Sequence, residues 1–150
     1  MMDLALTGSW SKLAVHERRD AIMTLEERMR ELEDEAGIDI PPVEYHCEGV
    51  YAREINIPAG TALVGEIHLK PQINVVSKGT IRVFTEEGVK LIQAPCTFIS
   101  PAGTKRAGYA VTDTVWTVFH ATESIDEETI RKEFIAPNYT TLDKQLENST

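Results

Sequence analysis

Gly65-Glu66-Ile67-His68-Leu69-Lys70-Pro71-Gln72-Ile73-Asn74-Val75-Val76-Ser77-Lys78-Gly79 is the stretch on which the fold turns. Apolar and polar side chains alternate through it, which is the two-residue period of a half-buried strand. Pro71 cannot donate to a strand ladder, and Lys78-Gly79 has the composition of a tight turn. The pattern continues outward on both sides. Upstream, residues 49–57 read as a strand, followed by the turn Pro58-Ala59-Gly60 and a strand over 62–68. Downstream, strands are expected over 72–77, 80–85, 89–93, 96–100, 105–111 and 114–120. Glu86-Glu87-Gly88 and Pro101-Ala102-Gly103 are further turns. Many short strands at near-regular spacing, punctuated by Gly and Pro, make a sandwich or a barrel.

Helices flank this β-rich centre. Ile22, Leu25, Met29 and Leu32 recur at helical steps and form one apolar stripe, with charged residues on the other faces. Ser11 reads as the N-cap of this helix and Gly37 as its stop, and Pro41-Pro42 forbid continuation. The stripe packs on its own barrel or pairs with a second subunit. Ser124-Ile125-Asp126-Glu127 reads as a capping box opening a short helix to about Phe134, with Pro137 ending it. The organisation expected is one domain: a helical extension over 1–42, the barrel over 43–122, and a short helix and tail over 123–150.

Composition narrows the function. With 150 residues, 42% hydrophobic and 26% charged, the chain is globular and long enough for a core without staples. A formal net charge of -9 opposes phosphate backbones, so nucleic-acid binding is not expected, although one local anion pocket remains compatible with it. Cys47 and Cys96 lack metal-knuckle spacing and read as reduced thiols. No apolar run approaches the roughly 18 residues of a membrane span, and the first ten residues lack signal-peptide character. A cytoplasmic protein is expected.

The strand region resembles the cupin superfamily. Residues 65–79 align with the first cupin motif, two His and a Glu followed by a Gly turn. Pro101-Ala102-Gly103-Thr104-Lys105-Arg106 aligns with the second, a Pro-x-Gly-x-x-His pattern. Ile57-Pro58-Ala59-Gly60-Thr61 is similar to the turn that often precedes the first motif. The resemblance covers about half the chain and implies a double-stranded β-helix, or jelly-roll barrel. The block from Val50 to His120 is also similar to cupin-like proteins carried by tailed bacteriophages, which implies a role in the host cytoplasm or in a virion.

The departures from the cupin pattern decide the functional expectation. His68 stands at the first ligand position, Lys70 at the second, Asn74 (or Val75, with the longer spacing) at the Glu position and Arg106 at the last His. A divalent cation wants several neutral imidazoles or carboxylates, and two cations repel it. No metal and no cofactor is therefore expected. Strand period places Glu66, His68 and Lys70 on one face, and Thr114, Trp116, Val118 and His120 on another. With these faces inward, His68, Lys70, Asn74, Arg106, Trp116 and His120 line a pocket for a small polar or anionic molecule, and Arg53 adds to its charge. Arg106 is suited to grip a carboxylate or phosphate with two parallel hydrogen bonds.

Each residue also has a plainer reading. His68 is then a hydrogen-bonded core residue, Lys70 a cation at the barrel mouth, Arg106 a partner of Glu66 or Glu54, Trp116 part of the core, His120 a surface or interface residue, and Asp113 a turn former. Three functions follow. A non-catalytic binder would hold a small anion, sequestering a host signalling molecule if phage-borne. An assembly protein of a phage particle would use homo-oligomeric contacts. A rebuilt enzyme would use Glu66, His68 and His120 as metal ligands, or His68 as a general base.

Overall fold

The computed structural model describes residues 10–36, 40–136 and 143, and side chains within the first helix as far as Met29 together with Glu31. Eleven strands follow the first helix, α1 (Val15–Ala36). They are β1 (Val43–Cys47), β2 (Val50–Ile57), β3 (Ala62–Val64), β4 (Ile67–His68), β5 (Gln72–Lys78), β6 (Thr80–Thr85), β7 (Gly88–Gln93), β8 (Cys96–Ser100), β9 (Ala107–Ala110), β10 (Thr114–Ala121) and, after α2 (Glu127–Phe134), β11 (Ile135–Ala136). One sheet has the order β1-β2-β10-β5-β8 and the other β3-β9-β6-β7, while β4 and β11 make a small pair of their own. All pairings are antiparallel. The protein is a mainly β barrel of antiparallel sheets, with a helix at the N-terminal side and a short one at the C-terminal side.

The core lies between the sheets because each strand turns one set of alternating residues inward. On β5 these are Gln72, Asn74 and Val76; on β10 they are Thr114, Trp116 and His120, all buried, with Val118 in phase between them. The register sets Trp116 beside Ile55 on one side and Val76 on the other. Ile57, Val76, Ile81, Val83, Ala110 and Trp116 form the main apolar cluster. At Gly79, between β5 and β6, φ is +89°, and a Cβ would sit 2.1 Å from the Asp113 carbonyl oxygen. Only glycine meets both demands.

Several sequence expectations are corrected. α1 begins at Val15, not after Ser11. The backbone N–H of Ala14 donates to the Glu17 carboxylate at 2.7 Å, so a glutamate three residues into the helix supplies the cap. Similarly, Asp126, not Ser124, caps α2 by accepting from the Thr129 N–H at 3.0 Å. The expected strand over 62–68 is broken at Gly65-Glu66, and that over 105–111 shortens to Ala107–Ala110. Strands β1 and β11 were not foreseen individually. Gly37 and Pro137 lie outside the described residues.

α1 packs on its own barrel, against β3 and β6. Ile22 is wholly buried there. Lys105, 3% exposed, is paired with Glu26 of the helix, Arg19 with Glu86, and Arg18 donates to the Glu86 carbonyl at 2.7 Å. Cys47 and Cys96 are free thiols. No helix among the described residues is long and apolar enough to cross a membrane.

Candidate functional site

The barrel holds a partly open cavity of about 150 Å³. Its walls are mostly apolar: Ile55, Ile57, Leu63, Ile81, Val83 and Val118 come from both sheets, and Trp116 supplies a broad aromatic surface. One end of the barrel is closed by α2 and β11. Phe134 lies 4.4 Å from the His120 ring, centroid to centroid, and packs with Tyr51 and Ile130. The Leu69 N–H donates to the Phe134 carbonyl at 2.7 Å, and β11 pairs with β4. Ion pairs tie the same segment down, Arg131 with Glu66 and Lys70 with Glu133, the latter at 3.3 Å. Residues 127–136 are thus the roof of the cavity.

Arg106 is one of several charged groups lining the cavity, together with Arg53, Arg131, Glu66 and Glu127. Its guanidinium donates to Ser100 Oγ and faces the rings of Phe98 and Trp116 at 5.5 and 5.6 Å. Among the described residues it has no carboxylate partner. Burial in apolar surroundings lowers its pKa to about 10, so it remains charged at neutral pH. Its position follows from the turn Pro101-Ala102-Gly103, which returns the chain toward β9. The pairing of Arg106 with Glu66 or Glu54 does not occur, because Glu66 is held by Arg131 and Glu54 accepts from Thr117.

Two histidines stand at the roofed end. His68 and His120 stack with ring centroids 5.6 Å apart, and Tyr51 stacks on the far side of His120 at 5.9 Å. Burial, first, and then the nearby positive groups push His68 down to about 3 and His120 down to about 4. For His68 those groups are His120, Arg106 and Arg53; for His120, Arg53 opposes the proton while Glu133 favours it. Both rings are neutral at pH 7. Tyr51 is raised above its ordinary value by burial and by its hydrogen bond to Glu44, 2.7 Å long. His120 is 7% exposed, so it belongs to the interior and not to the surface.

Asn74 is wholly buried and its amide is committed within the protein. Its Nδ2 donates to Ser100 Oγ at 2.6 Å and to the Gln72 carbonyl at 3.3 Å, while its Oδ1 accepts from Trp116 Nε1 at 3.0 Å. It therefore positions Trp116 and, through Ser100, Arg106. Gln72 behaves differently: it is 3% exposed, yet neither end of its side-chain amide has a hydrogen-bond partner. His68 Nδ1 and His120 Nδ1 are buried without partners as well. Buried polar atoms left unpaired are rare, and these belong to side chains that line one cavity.

Of the six residues expected to line a pocket, His68, Asn74, Arg106, Trp116 and His120 do so, and Lys70 does not. The strand carrying Glu66, His68 and Lys70 is only two residues long, so the common face read from its period is lost beyond His68. Lys70 instead sits over the Phe134 ring at 5.1 Å and pairs with Glu133 on the outside of the roof. Gln72 was missed, although its two-residue phase with Asn74 marks it. The roof was missed as part of the site; its signal was the Ile130/Phe134 pair, four apart on a short helix.

The cupin metal site does not fit these residues. The four positions present one imidazole, an ammonium pointing away, an amide already used, and a buried guanidinium. Among the described residues no three His, Cys, Asp or Glu side chains converge as metal ligands. Glu66, the carboxylate of the rebuilt set, is engaged by Arg131.

No protein-family model matches the sequence, and no curated protein matches it. Among solved structures the chain is similar to a cupin-2 domain containing protein from Shewanella frigidimarina, at 11% identity over 60% of this chain and 90% of that one, with a TM-score of 0.46. It is also similar to the cupin domain of Cnp3 from Schizosaccharomyces pombe, at 17% identity over 65% of this chain and 72% of that one, TM-score 0.48. KdgF from a Halomonas species is a third neighbour, at 15% identity over 63% of this chain and 93% of that one, TM-score 0.48. Cupin-domain proteins thus stand among the structural neighbours.

Proposed function

We propose that the protein is a binder of a small organic anion, which it holds inside the barrel with its charge on Arg106. The observation that carries this reading is a partly buried guanidinium facing a largely apolar cavity, with no ion-pair partner among the described residues. A buried charge is costly unless paired, and a ligand carboxylate would pair it with two parallel hydrogen bonds. The apolar walls and Trp116 suit a short hydrocarbon body. Cavities near 150 Å³ accept molecules the size of benzene, whereas pockets for drug-sized ligands run to about 300–1,000 Å³. A small acid would fit inside the cavity, and a sequestering role would concern such a molecule. The neutral histidines are weak bases at these pKa values, which favours binding over general-base catalysis.

The test is calorimetric titration with isovalerate and, as its neutral counterpart, isovaleramide. Isovalerate should bind at least about tenfold more tightly than the amide, and Arg106→Met should abolish the difference. Equal binding of acid and amide, or no binding of either at millimolar concentration, would overturn the reading, as would a stoichiometric metal found by elemental analysis of the purified protein.

One observation favours a second role in assembly. On the outer face of the larger sheet, Ile73 and Ile99 are register partners that are 48% and 71% exposed, and Phe119 stands beside Ile73. A cross-strand apolar row of this kind suits a subunit contact. Sedimentation of wild type against Ile99→Lys at tens of micromolar tests it; identical monomers would remove the reading.

A further inference from the structure

The anion pocket contains a second recognition point that Arg106 does not use. Gln72 is 97% buried by its 3% exposure, lines the cavity, and has both the Nε2 donor and the Oε1 acceptor unpartnered. Its strand explains the placement: Gln72, Asn74 and Val76 alternate inward along β5, which turns the amide into the barrel. Gln72 lies directly opposite Ser100 in the β5–β8 ladder, and Ser100 Oγ is the group that Arg106 holds. Asn74 closes the arrangement by donating both to Ser100 Oγ and to the Gln72 carbonyl. The free amide and the guanidinium, which has no ion-pair partner among the described residues, are therefore neighbours across a single residue.

A ligand that satisfies both must carry, close to its carboxylate, a neutral group that donates and accepts hydrogen bonds. A hydroxyl both donates and accepts, so it can give a hydrogen bond to the amide oxygen or take one from either amide N–H. The unpartnered Nδ1 atoms of His68 and His120 add further neutral polar contacts from the roofed end. From this we infer that the ligand class is a small α-hydroxy carboxylate with a short apolar body, its acid on Arg106 and its hydroxyl on Gln72. The inference rests on the anion-binding reading and narrows it. A plain carboxylate would leave the Gln72 amide buried and unsatisfied, and a site built for a hydroxyl discriminates against an analogue lacking it.

The experiment compares α-hydroxyisovalerate with isovalerate by calorimetric titration of the full chain at pH 7. The hydroxy acid should bind at least about tenfold more tightly. Gln72→Met, which keeps the volume and removes the amide, should weaken the hydroxy acid to the level of isovalerate. Arg106→Met should weaken both. Equal affinities in the wild type, or a preference for the hydroxy acid that survives Gln72→Met, would overturn the inference while leaving the anion pocket intact. Failure of both acids to bind the wild type would sink the anion reading and this inference with it. The wild-type comparison needs no variant to fold, and circular dichroism melting checks that Gln72→Met does.

Discussion

Arg106→Met should remove ligand binding and at the same time stabilise the ligand-free protein. Lowering the guanidinium from its ordinary value to about 10 corresponds to about 3 kcal/mol against the charged folded state. Both states are charged at pH 7, so the whole of that penalty acts there. Methionine loses the hydrogen bond to Ser100 Oγ, worth about 1 kcal/mol net, and the ring contacts to Phe98 and Trp116, worth about 0.5–1 kcal/mol together. Its thioether stem still packs on both rings. The balance is a gain of about 1 kcal/mol, or a rise of about 2–4 °C in Tm for a chain of this length. Urea denaturation with matched slopes measures it, and titration with isovalerate on the same samples measures binding. A loss of more than about 2 kcal/mol would show that Arg106 holds the fold together and that its charge is already satisfied. Stability given up to keep a site ready is a familiar trade, and here a single side chain would display it.

The histidine pair gives a prediction in pH. Both folded-state values lie below the ordinary 6.5, so the folded protein refuses protons that the unfolded chain accepts. Their contribution is intact above pH 6.5 and is lost as pH falls through 6.5 toward about 4 and 3, by up to about 1.4 kcal/mol per pH unit for each ring. Denaturation of wild type and His68→Gln/His120→Gln at pH 7 and 5.5 should show a smaller loss in the variant; equal losses would mean that the rings titrate normally. Gly79→Ala should cost about 2–4 kcal/mol, since φ is +89° and the new Cβ meets backbone at 2.1 Å. Gly60→Ala, at φ +81° with nothing within 4 Å, should cost only about 1 kcal/mol, and Tm values that do not separate the two would show that the turn after β5 relaxes.

The turns were the most legible part of the sequence. Gly60, Gly79, Gly88 and Gly103 all adopt positive φ, and each sits where the reading of Gly and Pro placed a chain reversal. Alternation then placed Trp116 and His120 together on one inward face. What alternation could not supply was the extent of a strand. Lys70 was drawn into the pocket by a period that stops at His68, because Gly65 and Pro71 limit β4 to two residues. Nor does periodicity report which buried polar groups find partners. Asn74 and Gln72 are in phase on the same strand and equally buried, yet one amide is fully used and the other is free. That difference depends on Ser100 and Trp116, which arrive from two neighbouring strands. Helix starts misled for a related reason: Ser11 and Ser124 have the right chemistry, but Glu17 and Asp126 are the groups whose oxygens reach the first free N–H donors.

The roof over the cavity is the last segment described before residue 137 and is fastened by one two-residue ladder, a few ion pairs and Phe134. Such an appendage can open without melting the barrel beneath it, since local openings draw on far less free energy than global unfolding. Entry and departure of a guest would then follow the clock of that opening, whatever the strength of the contacts inside. Two acids of very different affinity would leave at similar rates, and the protein would behave as a timed store whose release is set by a short C-terminal latch.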